Sequence, residues 1–219
     1  MKNQIELDNV SHYFDTPTDR INLFQNLSLS IRGGSSHSIM GASGAGKSSL
    51  LTLVAGLDDV KSGTIKFTIN GDLVSAQSLR AHSGFIFQHF HLMPELDALS
   101  NLALPLRLKG DRQAYKIAKK WLDKVGLCDR AHHKPNQLSG GEQQRIAVAR
   151  AFVTQPSFIF ADEPTGNLDE GTSMNVSDLL FDFVKESGAA LLVVTHSHRL
   201  ASMANHCHKL SKGQLELVA

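Results

Sequence analysis

Gly41, Gly44 and Gly46 punctuate the run GASGAGKSSLL at residues 41–51, and Lys47, Ser48 and Ser49 follow at once. The spacing Gly-x4-Gly-Lys-Ser is that of a loop that cradles a polyphosphate. Its glycines let backbone N–H groups turn inward around phosphate oxygens. A helix starting at the end of the loop adds its positive end. Lys47 is placed to reach the β- and γ-phosphates, and the Ser48 hydroxyl to ligate Mg²⁺. Gly41, Ser43, Gly44, Ala45, Gly46, Lys47, Ser48 and Ser49 are therefore the candidate phosphate-binding residues.

Such a loop binds a nucleoside triphosphate without saying what work is done. A second acidic group is needed, and FIFADE at residues 158–163 supplies it. Asp162 ends an apolar strand and is placed to hold Mg²⁺ through water. Glu163 is placed to polarise the attacking water as general base. A third stretch, LSGGEQQR at residues 138–145, is not explained by fold alone. A Ser-Gly-Gly turn opening an apolar-faced helix is a further phosphate-receiving helix end. A single chain with a single phosphate loop has no use for it, whereas a two-chain sandwich does.

With LSGGE in place, the sequence resembles the nucleotide-binding subunits of ATP-binding cassette (ABC) transporters over nearly its whole length. That resemblance implies roles for further residues. Tyr13, in VSHYF, stands where the family stacks an aromatic ring on adenine. Gln88, ending FIFQ, matches the glutamine that senses Mg²⁺ and the attacking water and joins two lobes. Asp169, in GNLD, matches a residue that bridges to the opposite subunit, and His196 matches a switch histidine near the γ-phosphate. The implied assembly is a homodimer in which ATP binds the phosphate loop of one copy to Ser139, Gly140 and Gly141 of the other. ADEPTGNLD, AGLDD and LSGGEQQRIAVARAF resemble the branch that serves bacterial lipoprotein release, macrolide export and cell division. In that branch the partner is an integral membrane permease with a large extracytoplasmic domain. The subunit then works in the cytoplasm, peripheral on the inner membrane. The alternative is a soluble ABC ATPase of a non-transport assembly process. Ser197 departs from the usual Asp after the switch histidine, and Ser49 from the usual Thr.

These residues need a scaffold. Near-alternating Ile5, Leu7, Val10 and alternating Leu27, Leu29, Ile31 predict strands. TIKFTINGD adds another strand and an Asn70-Gly71 hairpin. The short distance from the phosphate loop to Gln88 predicts a trimmed antiparallel sheet. Strands at SIM, GFIFQ, SFIFAD and ALLVVTH alternate with helices at SLLTLVAGL, EQQRIAVARAFV and SDLLFDFVKES. That alternation predicts an α/β fold, a P-loop NTPase core with a mostly parallel sheet covered by helices. Residues 89–155 read as an inserted helical subdomain, with 1–88 and 156–219 forming the core of one cassette domain. Ala114, Ile117, Ala118, Trp121, Leu122 and Val125 share one helical face. Phe90, Leu92, Met93 and Leu96 exceed what one helix face needs and are candidate permease contacts.

The 219 residues carry 22 basic and 21 acidic side chains. Such a balance gives no global field to attract nucleic acid or an anionic membrane. Two cysteines make no disulfide framework and fit a reducing compartment. No apolar run approaches the ~20 residues that span a bilayer, so membrane work is expected to pass through a partner. The histidine pairs lack zinc spacing. His206 and His208, which share a face on an alternating strand, are the best of a poor set.

Overall fold

The alternation at the start of the chain becomes a four-stranded antiparallel sheet in the computed structural model, which describes residues 3–16 and 19–218. Strands β1 (Gln4–Asp15), β2 (Arg20–Arg32), β4 (Ser62–Ile69) and β5 (Asp72–Val74) lie in the order β2-β1-β4-β5. Ile5, Leu7, Val10, Phe24, Leu27, Leu29 and Ile31 turn to one buried face. Asn70 and Gly71 both have positive φ, 55° and 94°, as the two-residue hairpin turn requires. The sheet has four strands, and its last strand is only three residues long.

A second, six-stranded sheet runs β10-β9-β3-β8-β7-β6. Its members are β3 (Ser36–Met40), β6 (Ser83–Phe87), β7 (Phe158–Asp162), β8 (Ala190–Val194), β9 (His206–Ser211) and β10 (Gln214–Leu217). All pairs are parallel except β9 with β10. The central strands β3, β7 and β8 are buried almost throughout, which explains the apolar runs of β7 and β8, while β3 buries Ser36, His37 and Ser38.

Helices connect them: α1 (Lys47–Val54), α2 (Ala76–Ala81), α3 (Ala98–Leu108), α4 (Ala114–Lys124), α5 (Gly140–Phe152), α6 (Glu170–Ser187) and α7 (His198–Ser202). Two apolar cores result. One lies between the sheets around Ile39, Leu50, Leu53, Phe158, Phe160 and Leu192. The other joins the opposite face of the parallel sheet, at Ile159, Ala161, Leu191 and Val193, to Leu102, Ala118, Leu122, Ile146 and Leu180 of the helices. Of the α4 face expected to be apolar, Ala114, Ala118, Leu122 and Val125 are buried, with Ile117 and Trp121 packed at the margin.

Three elements are absent from the sequence reading: α2, α7 and β10. The two helices span six and five residues, too few for a 3.6-residue period to show. Among the described residues, no helix is long and apolar enough to cross a membrane.

Candidate nucleotide-binding site

Four parallel strands stop side by side, and the chemistry-bearing residues stand at their carboxyl ends, the usual ligand edge of an open α/β sheet. The phosphate loop leaves β3, Gln88 follows β6, Asp162 closes β7, and His196 lies two residues beyond β8. In the loop, Gly44 and Gly46 have φ of 77° and 91°, a left-handed backbone that a side chain would strain. Gly41 is required for space: a methyl there would lie 2.6 Å from the Leu210 carbonyl oxygen.

Lys47 is buried, and its ammonium group donates to the carbonyls of Gly41 at 2.9 Å and Ala42 at 3.1 Å. It has no carboxylate partner within ion-pair distance among the described residues, so its charge is directed into the loop. The Ser48 hydroxyl donates to Asp162 Oδ1 at 3.1 Å. Burial pushes the Asp162 carboxyl up, with the Ser48 hydrogen bond opposing, Glu163 reinforcing and Lys47 opposing. A desolvated carboxylate beside a hydroxyl is an oxygen donor set suited to a hard cation such as Mg²⁺.

Glu163 takes an unusual left-handed φ of 45°. Its N–H donates to Val194 O at 2.9 Å, which ties the end of β7 to β8. Its Oε2 lies 2.9 Å from His196 Nδ1 and accepts the His196 N–H at 3.2 Å. Leu23, Ser43, Gly44, Gly46, Lys47, Ser48, Ser49, Gln88, Glu163 and His196 line one cleft of about 450 Å³. A slightly larger cleft, about 510 Å³, runs between β2 and β10 and contains none of the predicted site residues.

The structure separates the remaining predicted residues from this cleft. Ser139 caps α5, accepting the Glu142 N–H at 3.3 Å, while Glu142 accepts the Ser139 N–H at 2.8 Å. That reciprocal cap, reinforced by Arg130 at 3.0 Å, holds the Glu142 carboxyl below its ordinary range. A methyl on Gly141 would overlap Thr172 of α6, so the glycine allows a close approach. Asp169 caps α6 by accepting the Thr172 N–H at 3.0 Å, which lowers its carboxyl pKa. Neither Ser139, Gly140, Gly141 nor Asp169 lines the cleft. Tyr13 is also outside its lining, half-buried on β1, with the Arg20 guanidinium 3.9 Å over its ring. Ser197 caps α7 by accepting the Leu200 N–H at 3.3 Å, a task a serine performs as well as an aspartate.

Sequence reading missed a set of residues that hold the segment after β6. Arg150 of α5 donates to His91 O at 2.7 Å and Phe90 O at 3.0 Å. Gln144, fully buried on the same helix, donates to Phe87 O at 3.4 Å and to Pro164 O. Asn101 of α3 donates to Met93, Leu96 and Asp97 carbonyls and accepts the Met93 N–H. Their only sequence signal is polarity on an otherwise apolar helix face. Among the expected partner contacts, Met93 is 46% exposed, whereas Leu92 packs against the helical core.

The left-handed glycine loop, the inward lysine and the paired carboxylates at the strand ends define a P-loop nucleoside triphosphatase. Residues 24–166 match the sequence profile of the ABC transporter family. Over 222 residues the chain is 41% identical to an uncharacterized ABC transporter ATP-binding protein, YbbA, of Escherichia coli K12, covering 98% of this chain and 97% of that one. It is 42% identical over 202 residues to the lipoprotein-releasing system ATP-binding protein LolD of Hydrogenovibrio crunogenus, covering 89% and 88%. The fold matches the dimeric post-hydrolysis structure of the ATP-binding cassette MJ0796 bound to ADP and Pi, with a TM-score of 0.84 and 35% identity over 98% and 99% of the two chains. The chain belongs to the ABC transporter family and is an ATP-binding, ATP-hydrolysing cassette of that family.

Proposed function

We propose that this chain is the motor subunit of a bacterial cell-envelope ABC system. It works as an ATP-sandwich homodimer on the cytoplasmic face of the inner membrane and drives a permease with a large extracytoplasmic domain. One observation carries the reading. The cleft gathers the phosphate loop, Gln88, Glu163 and His196, while Ser139–Gly141 and Asp169 of the same chain lie outside it. Those four expected contacts then come from a second copy. The lipoprotein-releasing name of the relatives supports the choice of envelope process.

In this reading the backbone N–H groups of residues 41–46 and the Lys47 ammonium bind the phosphates, and Tyr13 stacks on adenine. The open left-handed loop and the Ser48–Asp162 pair fit a nucleotide with its cation. Ser48, Asp162 and Gln88 would hold Mg²⁺, which supplies charge neutralisation at the β- and γ-oxygens. Glu163 accepts a proton from water as the water oxygen bonds to the γ-phosphorus. The bond from that phosphorus to the bridging oxygen of ADP breaks. His196, held by Glu163, donates toward the γ-phosphoryl group. Loss of that group removes the contacts that join the copies, and the dimer reopens. Met93 and its neighbours form the surface the permease meets.

The test is recovery of partners from native membranes. Tagged Glu163→Gln chain, solubilised with ATP and Mg²⁺, should copurify a multi-helix protein with a large extracytoplasmic domain. Lys47→Ala, which removes the phosphate-binding cation, should lose both ATP binding and that partner. Recovery of soluble partners only would replace the envelope reading with an assembly ATPase.

A further inference from the structure

Gln88 is gripped at both ends by one side chain. Its Nε2 donates to Asn167 Oδ1 at 2.8 Å, and Asn167 Nδ2 donates to the Gln88 backbone carbonyl at 3.1 Å. Asn167 Nδ2 also lies 3.3 Å from His89 Nδ1. Gly166 closes the arrangement from below, for a methyl there would stand 3.0 Å from Gln88 Nε2.

The orientation of both amides follows from chemistry. A backbone carbonyl only accepts, so Asn167 must present its NH₂ group to Gln88 O. The atom left on Asn167 is then its oxygen, which only accepts. Gln88 must therefore answer with its own NH₂ group. The Gln88 Oε1 atom is left without a hydrogen-bond donor among the described residues, on a side chain that lines the cleft. A carboxamide oxygen is the atom a hard cation takes. Partners that orient a metal ligand without touching the metal commonly set its affinity.

We propose that Asn167 is a positioning residue: it fixes the Gln88 carboxamide so that Oε1, and not the NH₂ group, faces the cation. The inference rests on the proposed role of Gln88 as a Mg²⁺ ligand. It adds a link between copies, because Asn167 stands two residues before Asp169. A second copy that engages residues 166–169 acts directly on the residue that orients Gln88.

The test reads binding, not turnover. The dissociation constant of a fluorescent, non-hydrolysable ATP analogue is measured on the full chain without metal and with saturating Mg²⁺, and the ratio gives the metal enhancement. Gln88→Ala should reduce the enhancement. Asn167→Ala should reduce it by about tenfold, with metal-free affinity unchanged. In the Gln88→Ala background, Asn167→Ala should have no further effect, which a general loosening of the loop would not reproduce. If Gln88→Ala leaves the enhancement intact, the Gln88 ligand role fails and the positioning role with it. If Gln88→Ala lowers the enhancement but Asn167→Ala does not, or lowers it equally in both backgrounds, Asn167 does not position Gln88 while the Gln88 reading stands.

Discussion

Glu163 and His196 meet through one carboxylate oxygen: Oε2 lies 2.9 Å from His196 Nδ1 and accepts the His196 N–H at 3.2 Å. A single carboxylate thus fixes both the position and the ring orientation of the histidine at the end of the next strand. The left-handed φ of 45° at Glu163 is held by its N–H bond to Val194. Glu163→Gln keeps the shape and removes the base. Turnover should fall by about 10²–10⁴-fold, while ATP binding persists and a nucleotide-bound dimer accumulates. Phosphate release and light scattering check the two halves. A variant that stays monomeric in saturating ATP and Mg²⁺ would show that the isolated chain does not form the sandwich.

Arg150 carries a half-buried positive charge whose hydrogen-bond partners are two backbone carbonyls, those of Phe90 and His91. Burial lowers its pKa, and the carbonyls repay part of that cost. Arg150→Ala strands both acceptors beside the residues expected to meet the permease. Stability should drop by about 2–3 kcal/mol, read as a lower urea midpoint. A midpoint within error of wild type would mean that water replaces the guanidinium without loss.

How much of this was legible in sequence depends on whether the residue type carries its own chemistry. Lys47, Asp162, Glu163 and Ser139 announce themselves because only certain types at certain spacings serve phosphate and metal, and the structure puts them at strand and helix ends. Asn167 lies inside GNLD beside Asp169, but its role is not legible there, because an amide-to-amide contact across 79 positions leaves no local pattern. Gln144 and Arg150 look like polar interruptions of an apolar helix face until β6 and its following loop are laid against them. The same holds for His37. His206 and His208 do share a face of β9, but the residue they meet is on β3, and pairing of distant strands brings them together.

That histidine group predicts acid sensitivity. His37 Nδ1 lies 3.1 Å from His208 Nε2, with Ser35 Oγ 3.0 Å from His37 Nε2 and the His206 ring 4.7 Å away. Burial first, then His208 and His206, lowers His37 to about 4, and burial also lowers His208. Above the unfolded value of 6.5, both states hold His37 neutral and the group contributes no pH slope. Between 6.5 and about 4 the unfolded chain takes a proton that the folded chain refuses. Stability therefore falls as pH falls through that window. At about 1.4 kcal/mol per pKa unit, the part of that window between pH 6.5 and 5 corresponds to a loss of about 2 kcal/mol. Urea midpoints at pH 7.5 and 5 should separate for wild type and converge in His37→Gln. An equal slope in the variant would place the acid sensitivity elsewhere.

Ser139 separates structural from intermolecular roles most cleanly. As the cap of α5, its hydroxyl accepts one N–H in its own chain, and Ser139→Ala should cost about 1 kcal/mol of stability. Because Ser139 does not line the cleft of its own chain, nucleotide affinity of the monomer should be unchanged. Dimer formation and turnover should fall together, since the lost hydroxyl belongs to the half-site presented to the other copy. Mixing Ser139→Ala with Lys47→Ala chains sharpens the argument. Each heterodimer pairs the intact phosphate loop of one chain with the intact Ser139 turn of the other, and the altered loop with the altered turn. Such a mixture should recover turnover above either variant alone, because one composite site of each heterodimer is intact. No recovery of turnover on mixing would mean that phosphate loop and Ser139 act within one chain, contrary to the sandwich.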